Sequence, residues 1–128
     1  MALTLIAVGQ PIFTEDTWWH LSMGRAYASV GPWLSADPNL FTAIGPPAPA
    51  AWLASLSLHG IQSLFGFYGL RVAHVAVVAS IVLLAWSTLY RTSRSASYAS
   101  IATAAFTALA AYRLFQLRPE LVSVLATL

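Results

Sequence analysis

The chain has 128 residues and no cysteine; hydrophobic residues make up 59% of it and charged residues 8%, with a net charge of +2. Soluble domains carry about a quarter charged residues, so this composition, with a mean hydropathy of +0.72, points to lipid or other protein as the surrounding solvent. It excludes disulfides, thiolate metal sites and cysteine nucleophiles, and the few dispersed charges exclude the basic stripe that a nucleic-acid partner needs.

In chain order, residues 2–9 read as the last turns of a membrane helix. Even continued through Phe13 they rise only about 20 Å, against a hydrocarbon core of about 30 Å. Gly9, Gln10 and Pro11 stop them. The segment lacks the basic flank and cleavage site of a secretory signal. Thr14 suits the N-cap of a helix running to Val30, with Glu15 and Asp16 favoured at the positive end of its dipole. His20, Arg25 and the pair Trp18 and Trp19 place this helix in the membrane interface, with the tryptophans as anchors. Gly31 and Pro32 end it, and residues 31–49 form a loop with Asp37-Pro38-Asn39 and a rigid Gly45-Pro46-Pro47-Ala48-Pro49 run.

Residues 50–65 are helical by pattern, but His59, Gln62 and the serines around them make this a second interfacial or re-entrant helix. Residues 68–90 form a transmembrane helix about 34 Å long, with Arg71 and His74 near one end. Arg91-Thr92-Ser93-Arg94 is a tight hydrophilic turn. A second span covers 96–112, where Ser100, Ala104 and Ala108 recur every four residues as a small-residue face for another helix. Residues 113–120 are a polar crossing point, and 121–128 begin a further apolar helix. The expected fold is a single all-α module embedded in the membrane. It has two full transmembrane helices forming a hairpin over 68–112, two interfacial helices within 14–67, and apolar helix stubs at both ends, one over 1–13 and one that begins after the polar turn within 113–128.

If residues 50–65 do not cross, Glu15, Asp16, His20, Arg25, Asp37, Arg71, Arg113, Arg118 and Glu120 share one membrane side. Arg91 and Arg94 lie on the other, and this uncompensated two-arginine turn favours the cytoplasm for itself.

Asp-Thr-Trp-Trp-His-Leu-x-x-Gly-Arg at 16–25, Asp-Pro-x-x-Phe-Thr-Ala-x-Gly at 37–45, Trp52-Leu53, Gly69-Leu70-Arg71 and Arg-Pro-Glu-Leu at 118–121 together resemble the N-terminal part of a bacterial family. Its members are polytopic membrane proteins similar to the GT-C glycosyltransferases, which use polyprenyl-phosphate-linked sugars. The resemblance runs over residues 14–124. It implies the bacterial inner membrane, and a catalytic base or metal partner at Asp16 with Glu15 beside it. It also implies charged residues at the next external loop, matched by Arg118 and Glu120, and, for an active transferase, a divalent metal and a polyprenyl-phosphate sugar. The chain departs from the pattern at Ala50 and Ala51, where relatives often carry His-Glu.

Each candidate also has a structural reading. Asp16 and His20, four apart, share a helix face and suit an acid–imidazole pair; they equally suit a helix-start acid and an interfacial histidine. Trp18 and Trp19 are interface anchors before they are a stacking platform for a sugar. Arg118 and Glu120 either bind a phosphate, with His20 and Arg25 as further candidates, or form a local ion pair beside Pro119. His74, near Ala73 and Ala76, either ligates haem or a chlorophyll magnesium or hydrogen-bonds a neighbouring helix; the second is favoured, and His59 reads similarly. There is no Gly-rich phosphate loop, HExxH or nucleophile elbow, and the histidines lack zinc spacing.

A lipid-phosphate donor needs an enclosed cavity, which two spans and an interfacial pair do not make. The expectation is therefore a non-catalytic subunit or remnant, derived from the GT-C-like family. It packs against lipid and other membrane subunits, with no cofactor, metal or nucleic acid. The alternatives are the front of a GT-C-type transferase and, more remotely, a pigment- or haem-contacting subunit. Single cysteines at Ser93 and Asn39 are expected to label from opposite sides of sealed vesicles; labelling from one side would mean that residues 50–65 cross.

Overall fold

One glycine ends the first long helix of this chain and another bends the longest element. The structure, a computed structural model, describes residues 6, 15–42, 44–49 and 51–127, and every regular element among them is helical. They are α1 (Glu15–Val30), α2 (Trp52–Ser93), α3 (Ala96–Leu109), α4 (Ala111–Leu114) and α5 (Glu120–Thr127). The expected apolar helix over residues 2–13 and the Thr14 cap lie outside the described residues, apart from Ile6, which is helical. The chain forms two compact units, one of Phe13–Leu70 and one of Met1–Ile12 with Arg71–Leu128.

In the first unit, α1 ends at Gly31, whose φ of 91° is a left-handed conformation that glycine adopts without strain. Its N–H closes the helix on the Tyr27 carbonyl at 2.9 Å, which caps the C-terminus. The following loop is organised by Asp37, whose carboxylate accepts from the N–H groups of Asn39 and Leu40 at 2.7 and 3.1 Å. The Ser22 hydroxyl then donates to the Asn39 side-chain oxygen, tying the loop back to α1. Met23 and Tyr27, one turn apart on α1, bury against Leu34 of the loop to form a small core.

Helix α1 crosses α2 at Gly24. A Cβ at this position would stand 2.2 Å from the Ser55 carbonyl oxygen and 2.7 Å from the His59 Cβ. Only hydrogen fits there, because the nearest obstacle is backbone and cannot rotate away. Beside the crossing, His20 Nδ1 and the fully buried Ser55 hydroxyl are hydrogen-bonded at 2.8 Å.

The 42 residues of α2 comprise two helices that meet at a kink at Gly66, with φ 65° and ψ −163°, so the expected division between 50–65 and 68–90 falls where the structure breaks. The break falls where the sequence places one, but helix resumes at once with no connecting loop. A Cβ at Gly66 would meet nothing, so the backbone angle, not space, calls for glycine there. At 1.5 Å per residue the 27 residues that follow the kink, 67–93, are about 40 Å long, enough for a bilayer core. Through Leu70, α2 belongs to the first unit, and its remainder to the second. It is the one helix among the described residues long and apolar enough to cross a membrane, and only 28% of its most apolar stretch is buried within the chain. The core helix of a soluble protein would be mostly covered.

In the second unit, α2 presents His74, Val78, Ile81, Val82 and Ala85, the spacing of one helical face. Val78, Ile81 and Val82 pack with Leu114 of α4 and Leu121 of α5. The expected turn at 91–94 is shorter than its sequence suggests. Arg91–Ser93 stay helical, and the chain reverses through Arg94, at φ 55°, into Ser95. The Ser95 hydroxyl caps α3 by accepting from the Tyr98 N–H at 3.3 Å.

The helix expected over 96–112 instead stops at Leu109. With 14 residues it is about 21 Å long, short of a bilayer core. Ala110 leaves helical geometry at φ −87° and ψ 0°, and α4 restarts beyond it. Alanine is the best helix former, so local propensity does not explain the break; its tertiary contacts do. Ala110 and Leu114 both pack on the α2 cluster. The Leu114 carbonyl, orphaned at the end of α4, accepts from His74 Nε2 at 2.9 Å in a buried hydrogen bond. The carbonyl can only accept, so that nitrogen carries the proton.

Two glycines of this fold give opposite expectations. Gly24→Ala should lower stability by about 2 kcal/mol, an overpacking cost against rigid backbone. Gly60→Ala, on the same pair of helices but with nothing within 4 Å of the new methyl, should be neutral or stabilising by up to about 1 kcal/mol. Thermal denaturation of the two variants in detergent checks both.

Candidate functional site

The residues between Asp16 and Arg25 divide over three faces of α1. Met23 and Tyr27 enter the small core, while His20 and Gly24 meet α2. Trp18, Leu21, Ser22 and Arg25 follow the i, i+3, i+4, i+7 spacing of a third face. With His59, Gln62 and Phe67 they line a cleft of about 210 Å³. Its aromatic wall is built from Trp18 and Phe67, whose ring centroids stand 5.2 Å apart at 54°. The polar side combines a guanidinium, an imidazole, an amide and a hydroxyl. Among the described residues that is a set rich in hydrogen-bond donors and without a carboxylate. The Arg25 side chain is exposed, and among the described residues it has no acidic partner.

The cleft gathers some of the sequence candidates and leaves others elsewhere. Arg25 and Trp18 line it; His20 stands beside it, held to Ser55, with the Trp19 ring edge-on to its imidazole at 5.0 Å. Asp16 is half-buried in the first turn of α1 and is not part of the lining, and Glu15 is the first residue of that helix. Trp18 is 58% exposed and Trp19 38%, so both offer indole surface for the interface role.

Arg118 and Glu120 belong to the other unit. The local ion pair expected there forms with a different cation: Glu120 Oε2 meets Arg113 Nη1 at 2.7 Å, seven residues back. Both side chains are largely exposed, so the pair adds little stability. Ser100, Ala104 and Ala108 face outward, and the face that α3 buries within the chain is one residue away, at Ala99, Thr103 and Thr107. Ser100 is touched by the Trp86 indole, which donates to its hydroxyl at 3.3 Å.

Ser22, Ser55, His59, Gln62 and Phe67 join the site without having been singled out for it. A signal existed: Ser55, His59 and Gln62 stand at i, i+4 and i+7, a polar stripe on an otherwise apolar helix. Among the described residues no three His, Asp or Glu side chains come together as a metal site would require. No family model, curated protein or solved structure matches this chain.

Tyr27, one turn beyond the cleft, is buried, and its hydroxyl has no partner among the described residues. Burial first, and the Asp37 carboxylate second, hold the phenol above its usual pKa of 10.0. The folded chain therefore binds this proton more tightly than the unfolded chain. The resulting stability is complete below the ordinary tyrosine range and is lost as pH rises through the raised value. Spectrophotometric titration should show one tyrosine ionising later than the rest. Asp37→Asn should bring it part of the way back, and Tyr27→Phe should remove it.

Proposed function

We propose that this chain is a non-catalytic helical module of a bacterial inner membrane that packs into a larger membrane protein assembly. The observation that carries the reading is α2, whose apolar stretch is long enough to cross a bilayer yet only 28% covered by the chain itself. Leu83, Leu84, Ile101, Leu109 and Tyr112 extend exposed apolar surface over the second unit. Lipid and other membrane helices are the partners that accept such a surface without loss of hydrogen bonding. In this reading α3 and α4 act together as the second span of a multi-pass protein. The outward Ser100, Ala104 and Ala108 give a neighbouring helix a close approach.

A second reading is the front of a GT-C-type transferase using a polyprenyl-phosphate sugar. What favours it is that residues of the resembling motif, Trp18, Leu21 and Arg25, line one cleft, while His20 and Gly24 seat the helix that builds it. Asp16, with Glu15, would then serve as base or metal partner, and Arg118 and Glu120 as phosphate-side groups. The pigment- or haem-contacting reading has less support, because His74 Nε2 is engaged by the Leu114 carbonyl.

The discriminating experiment is Asp16→Asn in the full chain, purified from alkali-washed membranes. The expected result is retention in the membrane, migration in detergent as part of a larger complex, and unchanged complex yield and sugar transfer. Asparagine keeps the shape and still suits a helix start. Loss of transfer at normal yield would establish the second reading, since the change removes basicity alone. A monodisperse monomer without co-purifying subunits would overturn the first.

A further inference from the structure

The cleft on α1 has a chemistry that packing does not use. Its lining combines Arg25, His59, Gln62 and Ser22 with the rings of Trp18 and Phe67. Among the described residues, neither Arg25 nor His59 nor Gln62 makes a side-chain hydrogen bond or ion pair. Each is therefore available to a ligand. Ser22 is oriented by donating to Asn39, which leaves its oxygen lone pairs and fixes the rim.

We infer that this cleft binds a phosphate ester, and that the ester is the headgroup of an anionic phospholipid. Three observations converge on this class. A guanidinium matches phosphate oxygens bidentately, and an amide and an imidazole N–H add donors at the same lining. None of the described lining residues is acidic, so the described lining sets no carboxylate against an anion. The volume of about 210 Å³ lies below the range of roughly 300–1,000 Å³ typical of pockets that enclose a whole organic ligand. It suits a headgroup whose acyl chains stay outside. The aromatic wall decides the source: tryptophan rings settle at headgroup depth, and Trp18 and Phe67 place apolar surface directly beside the cation.

The geometry of α1 explains why this site persists. Gly24 seats α1 against Ser55 and His59, so Arg25, the next residue, is held at the lining by a contact that only glycine permits. His59 takes part twice, as the Cβ that Gly24 packs against and as the ring that lines the cleft.

This inference rests on the membrane reading, which the alkaline wash above tests separately. The full chain is extracted in detergent and delipidated, then exposed to equimolar phosphatidylglycerol and phosphatidylcholine, and retained lipid is counted by native mass spectrometry. The expected result is one phosphatidylglycerol held in preference to phosphatidylcholine, a preference that Arg25→Gln reduces by about tenfold, the scale of one charge-assisted hydrogen-bonded contact. Gln62→Leu should weaken it less, and Arg91→Gln, remote in sequence from the lining, should leave it unchanged. In a second arm, inorganic phosphate is titrated against the lipid-free chain and followed by phosphorus NMR. Broadening that Arg25→Gln abolishes, without a lipid preference, keeps the phosphate site and makes free phosphate its source. No lipid preference and no Arg25-dependent broadening would overturn the proposal, as would a lipid preference that Arg25→Gln and Gln62→Leu both leave intact.

Discussion

The approach of α1 to α2 at Gly24 is the constraint on which the first unit depends. Polar chains in a mostly apolar protein have few ways to fix their positions, because the hydrophobic contacts around them are non-directional. Here a missing side chain supplies the direction. With hydrogen at Gly24, the Ser55 carbonyl comes within 2.2 Å of where a methyl would stand, and helices this close bring their other side chains into register. The His20–Ser55 hydrogen bond forms one turn before the contact, and the cleft lined by Arg25 opens one residue after it. Buried core, polar lock and polar cleft are three faces of one 16-residue helix.

The second unit solves a different problem by a similar device. A helix that stops inside an apolar environment leaves carbonyl groups with no water to accept them. Helix α4 ends where His74, the fourth residue of the second unit's share of α2, donates to the Leu114 carbonyl. The aliphatic cluster of Val78, Ile81, Val82, Leu114 and Leu121 surrounds that bond and excludes competitors. One row of small residues on α3, Ala99, Thr103 and Thr107, is buried within the chain, leaving the adjacent row of Ser100, Ala104 and Ala108 outward.

Much of the secondary structure was legible in local signals, and the discrepancies have local causes. Gly31 ends α1 where a glycine after an apolar run predicts an end, and α5 begins with the acid at Glu120, which suits the helix dipole. The division between 50–65 and 68–90 was legible; polarity itself reports solvent, not helicity, and His59 and Gln62 are polar because they line a cleft. The turn at 91–94 was drawn too wide for the same reason, since Arg91 and Thr92 are hydrophilic and still helical. Of the candidate site, Arg25, His20 and Trp18 were legible as unusual residues in apolar surroundings. Their partners Ser55, His59 and Gln62 stand more than 30 residues away, and no local pattern couples the two sets.

By itself the sequence determined the helical class and most of the elements. An apolar composition with few charges points to lipid or protein around much of the chain, and hydrophobic runs bounded by glycine, proline and arginine favour helices between them. These depend on short-range physics, on burial and on backbone angles, so they can be read residue by residue. Tertiary structure alone decided which glycine is a hinge and which a contact. Gly66 bends the backbone in open space, whereas Gly24 yields its volume to another helix. It also decided that Glu120 pairs with Arg113, that α3 breaks at Ala110, and that Arg25 shares a cleft with His59 and Gln62. Each depends on a neighbour distant in sequence, and the free energy of such a contact exists only once packing has brought the two segments together.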